Sequence, residues 1–450
     1  MKPLKDISFC YFIGIGGIGM SALARYLQRL GKTVLGYDKT PTELTKQLEK
    51  EGIVIVYEDL EATIHLQLTT ANTLVVYTPA IPKDSILLNY FISRGFEVVK
   101  RSRLLGEVTR DTLCLAVAGT HGKTTTSAIL GHLMAASGMP VTAFLGGIAE
   151  NYHSNFIHQG NTFSVVEADE FDRSFLQLQP DIACVTSMDS DHLDIYGDSA
   201  AVEASFKAFA ALVKDPEKLL VKKGLPISGK TVAIEEAADF EARNVRIENG
   251  HYVFDLKTPT ETIKTLKFLL PGHHNLLNAV TALGMAITAG TPTPGLPKAL
   301  LSFKGVERRF SYKIKTEHLV LIDDYAHHPT EIEALFQAVS EMYPNDQKII
   351  VFQPHLYSRT RDFAKGFAQS LSQFDEVVLL DLYPAREVPI PGVDSNWLLG
   401  QISNPKKSLI DKKNIAERIK NSPCKIKLMV GAGDIGAEVE SVVKYLEDER

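Results

Sequence analysis

Short apolar runs recur along the chain, separated by glycine-broken polar loops and by longer stretches of helical period. The run at 7–13 is almost wholly apolar, as a strand covered on both faces must be. A glycine-rich loop follows, then a helical stretch at 20–30 closed by Gly31, and a second strand at 33–37 that ends on Asp38. A further strand at 73–77 runs into Thr78-Pro79-Ala80-Ile81-Pro82, and 101–110 reads as a helix. The run at 113–118 is the next strand, with a tight glycine turn and a helix opening at Thr124 behind it. Strands are expected at 163–166 and 182–187, shorter ones at 231–234 and 252–256, and a helix reaching about Ala289. After the loop Thr291-Pro292-Thr293-Pro294-Gly295, strands at 319–322, 348–352, 376–380 and 426–430 alternate with helices, the first at 331–342.

Strand–helix alternation of this kind predicts parallel, doubly wound sheets. The breaks divide the chain into three α/β domains. A Rossmann-like domain is expected at 1–108, a central domain with a phosphate loop at 109–304, and a second Rossmann-like domain at 305–450.

Composition narrows the class. A hydrophobic content of 45% and a charged content of 23% over 450 residues suit a soluble protein of two to four domains. The formal charge of −6 leaves no basic surplus for broad nucleic-acid binding. Cys10, Cys114, Cys184 and Cys424 form no CxxC pair, and three of them sit in apolar strand-like runs that suit buried thiols, as in a reducing cytoplasm. Neither a signal peptide nor an apolar run of transmembrane length is evident, so a cytoplasmic location without membrane insertion is expected.

Gly119-Thr120-His121-Gly122-Lys123-Thr124-Thr125 between strand and helix is the main chemical signal. Such a loop turns backbone N–H groups and a helix N-terminus onto phosphate oxygens. Lys123 adds a point charge at the transferred phosphoryl, and the Thr124 hydroxyl suits a magnesium ion. The usual phosphate loop has a glycine five residues before the second one. Here that position is Val117, so the loop is the tighter G-x-x-G-K-[ST] form. Acids and a histidine at later strand ends suit a magnesium site, with Glu167 on the ion bridging the phosphates and His192 on a second one. Asn275 and Asn278 share a helix face. Asn275 suits a cap, whereas Asn278 lies deeper and fits contact with a nucleotide base.

Gly14, Gly16, Gly17 and Gly19 with Asp38 match the dinucleotide fingerprint. Alone they suggest NAD with Asp38 on a ribose. A UDP-sugar would satisfy the same loop, because the fingerprint reports a pyrophosphate. Thr78, at a strand carboxyl end, is a further contact candidate.

The segments FIGIGGIGMSALA, AVAGTHGKTTT, EADEFD, DSDHLD, GHHNLLNAV, GVERRF, DDYAHHPTEI, FQPHLYSRTRD and YPARE…PIPG resemble, in order, the ATP-dependent Mur ligases of peptidoglycan synthesis. The likeness spans nearly the whole chain. It implies ATP, magnesium (or manganese), UDP-N-acetylmuramate and L-alanine as ligands, and a role in cell-wall biogenesis, cell shape and division. It puts Gly14–Gly19 on the UDP-sugar, Lys123 and Thr124 on phosphates and magnesium, and Glu167 and His192 on metal. Asn278 is then set against adenine, Arg309 on the terminal phosphate and Asp324 on the ribose. Tyr325, His327 and Arg359 are set at the amino-acid end, with His327 taking or positioning the amine proton. Lys123, His327 and Arg359 are thus the expected catalytic set, brought to bear by domain closure in a monomer or homodimer.

Two positions depart from the family pattern or strain it. Leu356 stands where such proteins commonly carry arginine, which shifts carboxylate recognition onto Arg359. Lys207 lies near the place where sister ligases hold a carbamylated lysine; an ion pair there would remove that reading. Rival functions are a ligase attaching a recycled peptide to the same UDP-sugar, an NAD-dependent oxidoreductase, and a nucleotide-gated binding protein. The oxidoreductase leaves the phosphate loop and the metal acids without a use, and the binding protein would need Glu167 or His192 to be dispensable.

Overall fold

The computed structural model describes all residues except 66, 190–198, 249–250, 386 and 449–450, and gives no account of the side chains of 172 and 199. Among the described residues the apolar runs become strands of three sheets. The chain forms two units: Met1–Val245, Val253–Lys267 and Leu277–Phe303 make one, and Arg246–Tyr252, Phe268–Leu276 and Lys304–Arg450 the other.

In the first unit, a five-stranded parallel sheet has the order Val54–Val56, Thr33–Tyr37, Phe9–Ile13, Thr73–Tyr77, Glu97–Lys100. The strand order reverses beside Phe9–Ile13, and ligands bind at such switch points, outside the strand carboxyl ends. Gly14 and Thr78 leave the two strands that flank this crevice. The expected strand at 7–13 begins two residues later than its apolar pattern, and the helix begins two earlier, at Ile18–Arg29.

The same unit holds the larger sheet. Its parallel centre runs Leu219–Lys222, Ile182–Val185, Leu113–Ala118, Phe163–Ala168, Val141–Ala149. Leu113–Ala118 therefore lies between the strands that end at Val185 and at Ala168, just past Glu167, which places the phosphate loop at a second switch point. Alternation of burial is absent here: Cys114 to Ala118 are all fully buried, as strands covered by helices on both faces require. Val141–Ala149 pairs antiparallel with Ser154–His158, a hairpin absent from the expected elements.

The second unit contains a six-stranded sheet: Ser311–Lys315, Val320–Asp324, Ile426–Val430, Lys348–Phe352, Glu376–Leu379, Lys407–Leu409. Only the first pair is antiparallel. Asp324, Gln353 and Gly431 thus leave three neighbouring strands at their carboxyl ends. All four cysteines are buried and unbridged. Among the described residues no helix is long and apolar enough to cross a membrane.

Candidate active site

The phosphate loop owes its course to two glycines with left-handed φ, +139° at Gly119 and +85° at Gly122. A Cβ on Gly119 would collide with the Thr186 hydroxyl, and one on Gly122 would stand 2.5 Å from Asn278 Oδ1. Asn278 thus packs onto the loop, beside the nucleotide site expected for it. The next strand end clamps the turn. The His121 N–H donates to Ser187 Oγ at 2.8 Å, and Thr186 Oγ1 donates to the His121 carbonyl at 2.6 Å. Thr120 Oγ1 lies 2.9 Å from Ser187 Oγ, and Thr125 is buried in the first helical turn. Behind the loop, Lys123–Ala136 is a full-length helix whose first turn faces the site.

Lys123 is tethered. Its ammonium donates to the Gly119 carbonyl at 2.6 Å and to both Glu170 oxygens at 2.9 and 2.8 Å. Glu170 is only 3% exposed. It stands in the EADEFD segment, where no local pattern marks it as the partner of a lysine 47 residues away.

Glu167 collects three donors: the Gly146 N–H at 2.5 Å, Thr124 Oγ1 at 3.1 Å and Ser127 Oγ at 3.1 Å. Burial pushes its carboxyl above the ordinary value, although these donors and Lys123 pull the other way. A buried acid beside a threonine hydroxyl is a fitting pair of hard oxygen donors for a divalent cation. His192, the other expected ligand, lies outside the described residues.

A cleft of about 410 Å³ is lined by Gly17, Gly19, Thr78, Arg101, Lys123 and Glu167, among others. Both glycine loops of the first unit therefore open on one space. Arg101, which the sequence reading passed over, brings a second cation to it and lies 3.4 Å from Asp169. Gly14, Gly16, Asp38 and Thr78 line a neighbouring cleft of about 620 Å³. Asp38 Oδ2 accepts the Gly16 N–H at 2.7 Å, so the acid braces the loop besides facing the cleft.

The second unit repeats that device. Asp324 accepts the N–H groups of Phe310 at 2.7 Å and Ala326 at 2.8 Å. It thereby holds the turn that carries Arg309. Burial lifts its carboxyl to about 6, against the pull of Arg309 and the two N–H groups. The guanidinium of Arg309 lies over the Tyr325 ring, 5.3 Å from its centroid.

The paired histidines separate into two roles. His328 caps the helix Pro329–Met342, with Glu331 completing a capping box. His327 Nδ1 lies 3.0 Å from the Tyr325 carbonyl, and its N–H donates to Glu331 at 2.9 Å. Burial, aided by Arg359 and Arg309, lowers its pKa, with Glu331 opposing. Arg359 Nη1 donates to His355 Nδ1 at 3.2 Å.

Two expectations change. Asn275 does not cap its helix by accepting a bond: its Nδ2 donates to the Pro271 carbonyl at 2.7 Å. Lys207 is half exposed and pairs with Glu203 at 2.6 Å, one helical turn away. It is a surface i,i+4 ion pair, as its place between the buried Phe206 and Phe209 dictates. Lys207→Ala is expected to leave turnover within about twofold of the parent, since exposed pairs contribute little. A loss of a hundredfold in the phosphate-release assay would restore the carbamate reading.

Comparison with known proteins adds three matches to family models. Residues 10–112 match the Mur ligase family catalytic domain, 117–286 the Mur ligase middle domain, and 308–435 the Mur ligase glutamate ligase domain. A UDP-N-acetylmuramate–L-alanine ligase of Christiangramia forsetii is 62% identical over 448 residues, 99% of either chain. The crystal structure of a UDP-N-acetylmuramate–alanine ligase of Thermotoga maritima superposes with a TM-score of 0.83 at 26% identity, covering 98% of this chain and 99% of that one. A murein peptide ligase of Psychrobacter arcticus, with a TM-score of 0.72 at 21% identity and 98% of each chain covered, shares the fold.

Proposed function

Because the chain belongs to the Mur ligase family and has its three-domain α/β architecture, we propose that it joins L-alanine to the lactyl carboxylate of UDP-N-acetylmuramate, converting ATP to ADP and phosphate, in peptidoglycan precursor synthesis. The full-length relative at 62% identity supports the substrate pair. The observation that carries the chemistry is the shared cleft. A sugar nucleotide held at Gly17 and Gly19 presents its carboxylate to the same space as Lys123 and Glu167. We take the working boundaries as 1–108, 109–304 and 305–450.

A carboxylate is a poor electrophile. Receiving the terminal phosphoryl of ATP makes it an acyl phosphate, with ADP released. The amine of L-alanine then adds to the carbonyl carbon, and the tetrahedral intermediate collapses to the amide and inorganic phosphate, with the amine proton taken away. Lys123 stabilises charge on the phosphoryl oxygens, the main lever in such transfers. Thr124 and Glu167 would hold magnesium or manganese, and His192 a second such ion, which when bound neutralises phosphate charge. Gly119 to Thr125 cradle the phosphates, and Asn278 lies against the adenine. In the second unit Arg309 is assigned to a phosphate, Asp324 to the ribose, and Tyr325, His327 and Arg359 to the amino acid. His327 holds the amine proton at Nε2, because Nδ1 faces a carbonyl that can only accept.

Phosphate release is the test, measured with ATP, magnesium and UDP-N-acetylmuramate, adding L-alanine or the tripeptide of cell-wall recycling separately. Release that needs both the sugar nucleotide and L-alanine is the expected result. Release with the tripeptide alone would reassign the chain to peptide recycling.

A further inference from the structure

The loop YPARE…PIPG has no part in the reaction just described, yet it reaches the helix that carries Arg359. That helix, Tyr357–Asp362, has six residues, too few to persist on its own propensity. It also starts badly. Leu356 before it has φ +70° and ψ 134°, a conformation that strains an L residue with a branched side chain.

Glu387 compensates from 29 residues away. Its carboxylate accepts the Ser358 N–H at 3.0 Å and the Ser358 hydroxyl. These are donors of the first turn, which no helix can satisfy internally. Burial raises the Glu387 carboxyl, but those bonds and the charge of Arg359 more than offset it, so the group stays below the ordinary range and ionised. The two segments are joined again at their near ends. The Leu356 N–H donates to the Tyr383 carbonyl at 3.0 Å, the Tyr383 N–H donates to the Pro354 carbonyl at 2.8 Å, and His355 stacks on the Tyr383 ring at 5.8 Å and 14°. His355 in turn accepts from Arg359. The segment that leads into Arg359, from Pro354 to Ser358, is thus held by Tyr383 and Glu387.

We infer that Glu387 is a positioning residue for the amino-acid carboxylate: by capping the helix Tyr357–Asp362 it fixes the direction of Arg359. The inference rests on the proposed assignment of Arg359 to L-alanine. It makes recognition of the nucleophile's carboxylate depend on Glu387, while formation of the acyl phosphate does not.

The two steps are separable with hydroxylamine. Its amine attacks the acyl carbonyl, phosphate leaves and a hydroxamate forms, but it has no carboxylate for Arg359 to hold. Full-length parent, E387Q and E387A are assayed for phosphate release with saturating ATP, magnesium and UDP-N-acetylmuramate, against a concentration series of L-alanine or of hydroxylamine. E387A is expected to raise the KM for L-alanine about five- to tenfold, the range of a lost helix cap, with E387Q in between. Hydroxylamine-dependent release and the KM for ATP should stay within about twofold, since neither involves the cap. Equal losses with both nucleophiles, or an unchanged KM for L-alanine, would overturn the inference. If E387A does not fold, E387Q alone decides, because it keeps the size of the side chain and one acceptor oxygen. Failure of the underlying reading shows elsewhere: the parent itself would release phosphate with hydroxylamine but not with L-alanine.

Discussion

Lys123→Met is expected to lower kcat for phosphate release by about a thousandfold, or ~4 kcal/mol of transition-state stabilisation, the usual loss when a preorganised donor is removed from developing charge. The structure adds a second effect that a simple phosphate-loop argument misses. Lys123 neutralises Glu170, which is 3% exposed and bonded to it through both oxygens. Removing Lys123 takes two charge-assisted bonds from the buried Glu170 carboxylate, and breaking a buried pair costs about 3–5 kcal/mol of stability. The single variant should therefore melt well below the parent, and lost activity alone would not distinguish chemistry from unfolding. The double variant Lys123→Met/Glu170→Gln removes both charges while retaining similar shapes, which is far less costly. Its melting temperature should return most of the way to the parent's, with turnover still about a thousandfold down. Recovery of turnover along with stability would sink the catalytic assignment and make Lys123 a structural cation.

That Lys123 is central was legible from the sequence; that Glu170 holds it was not. A strand of a parallel sheet is covered on both faces, so its continuous apolar run is readable, and the glycine turn behind 113–118 could be placed at a strand carboxyl end. The same logic located Gly14 to Gly19 and the loops after Asp324 and Phe352. The hairpin through Val141–Ala149 escaped because Gly146 and Gly147 break its apolar run and look like a loop. Yet the Gly146 N–H is one of the three donors on Glu167. Contacts across the sheet are invisible for a different reason. EADEFD offers three acids within four residues, and only the strand's place in the sheet and the path of the chain after it turn Glu167 to Thr124 and Glu170 to Lys123. Glu387 and Ser358 pose the same problem at a separation of 29 residues. His327 and His328 show how local the ambiguity can be. Adjacent and chemically identical, they part only because the helix begins at Pro329, which makes His328 its cap and leaves His327 to the site.

His327→Gln is expected to change the shape of the pH profile as well as its height. L-Alanine arrives at neutral pH chiefly as the ammonium, which cannot attack. If His327 takes the proton on the enzyme, kcat/KM for L-alanine should be level across the range where the imidazole is neutral and the free amine still protonated. Burial and the two arginines hold the His327 pKa below its ordinary 6.5, so that level region should extend to mildly acid pH. Without the imidazole only amine already deprotonated in solution reacts, and kcat/KM should climb about tenfold per pH unit up to the amine's own pKa. At pH 7 the loss should be about 10²- to 10³-fold, the usual value of a positioned base. The structure favours the neutral base by a specific bond. The Tyr325 carbonyl 3.0 Å from Nδ1 requires the proton there, which leaves the Nε2 lone pair as acceptor. Glu331, 3.5 Å from Nδ1, then steadies the imidazolium that forms. The same shift bears on stability with a definite sign. A histidine whose folded pKa lies below its unfolded one contributes fully above about pH 6.5 and loses that contribution as the pH falls through the folded value. The Gln variant should therefore lose less stability than the parent between pH 6.5 and the acid end of the profile, as thermal melts across that window would show. A variant profile that runs parallel to the parent's, lower by a constant factor, would mean that His327 orients the amine without carrying its proton.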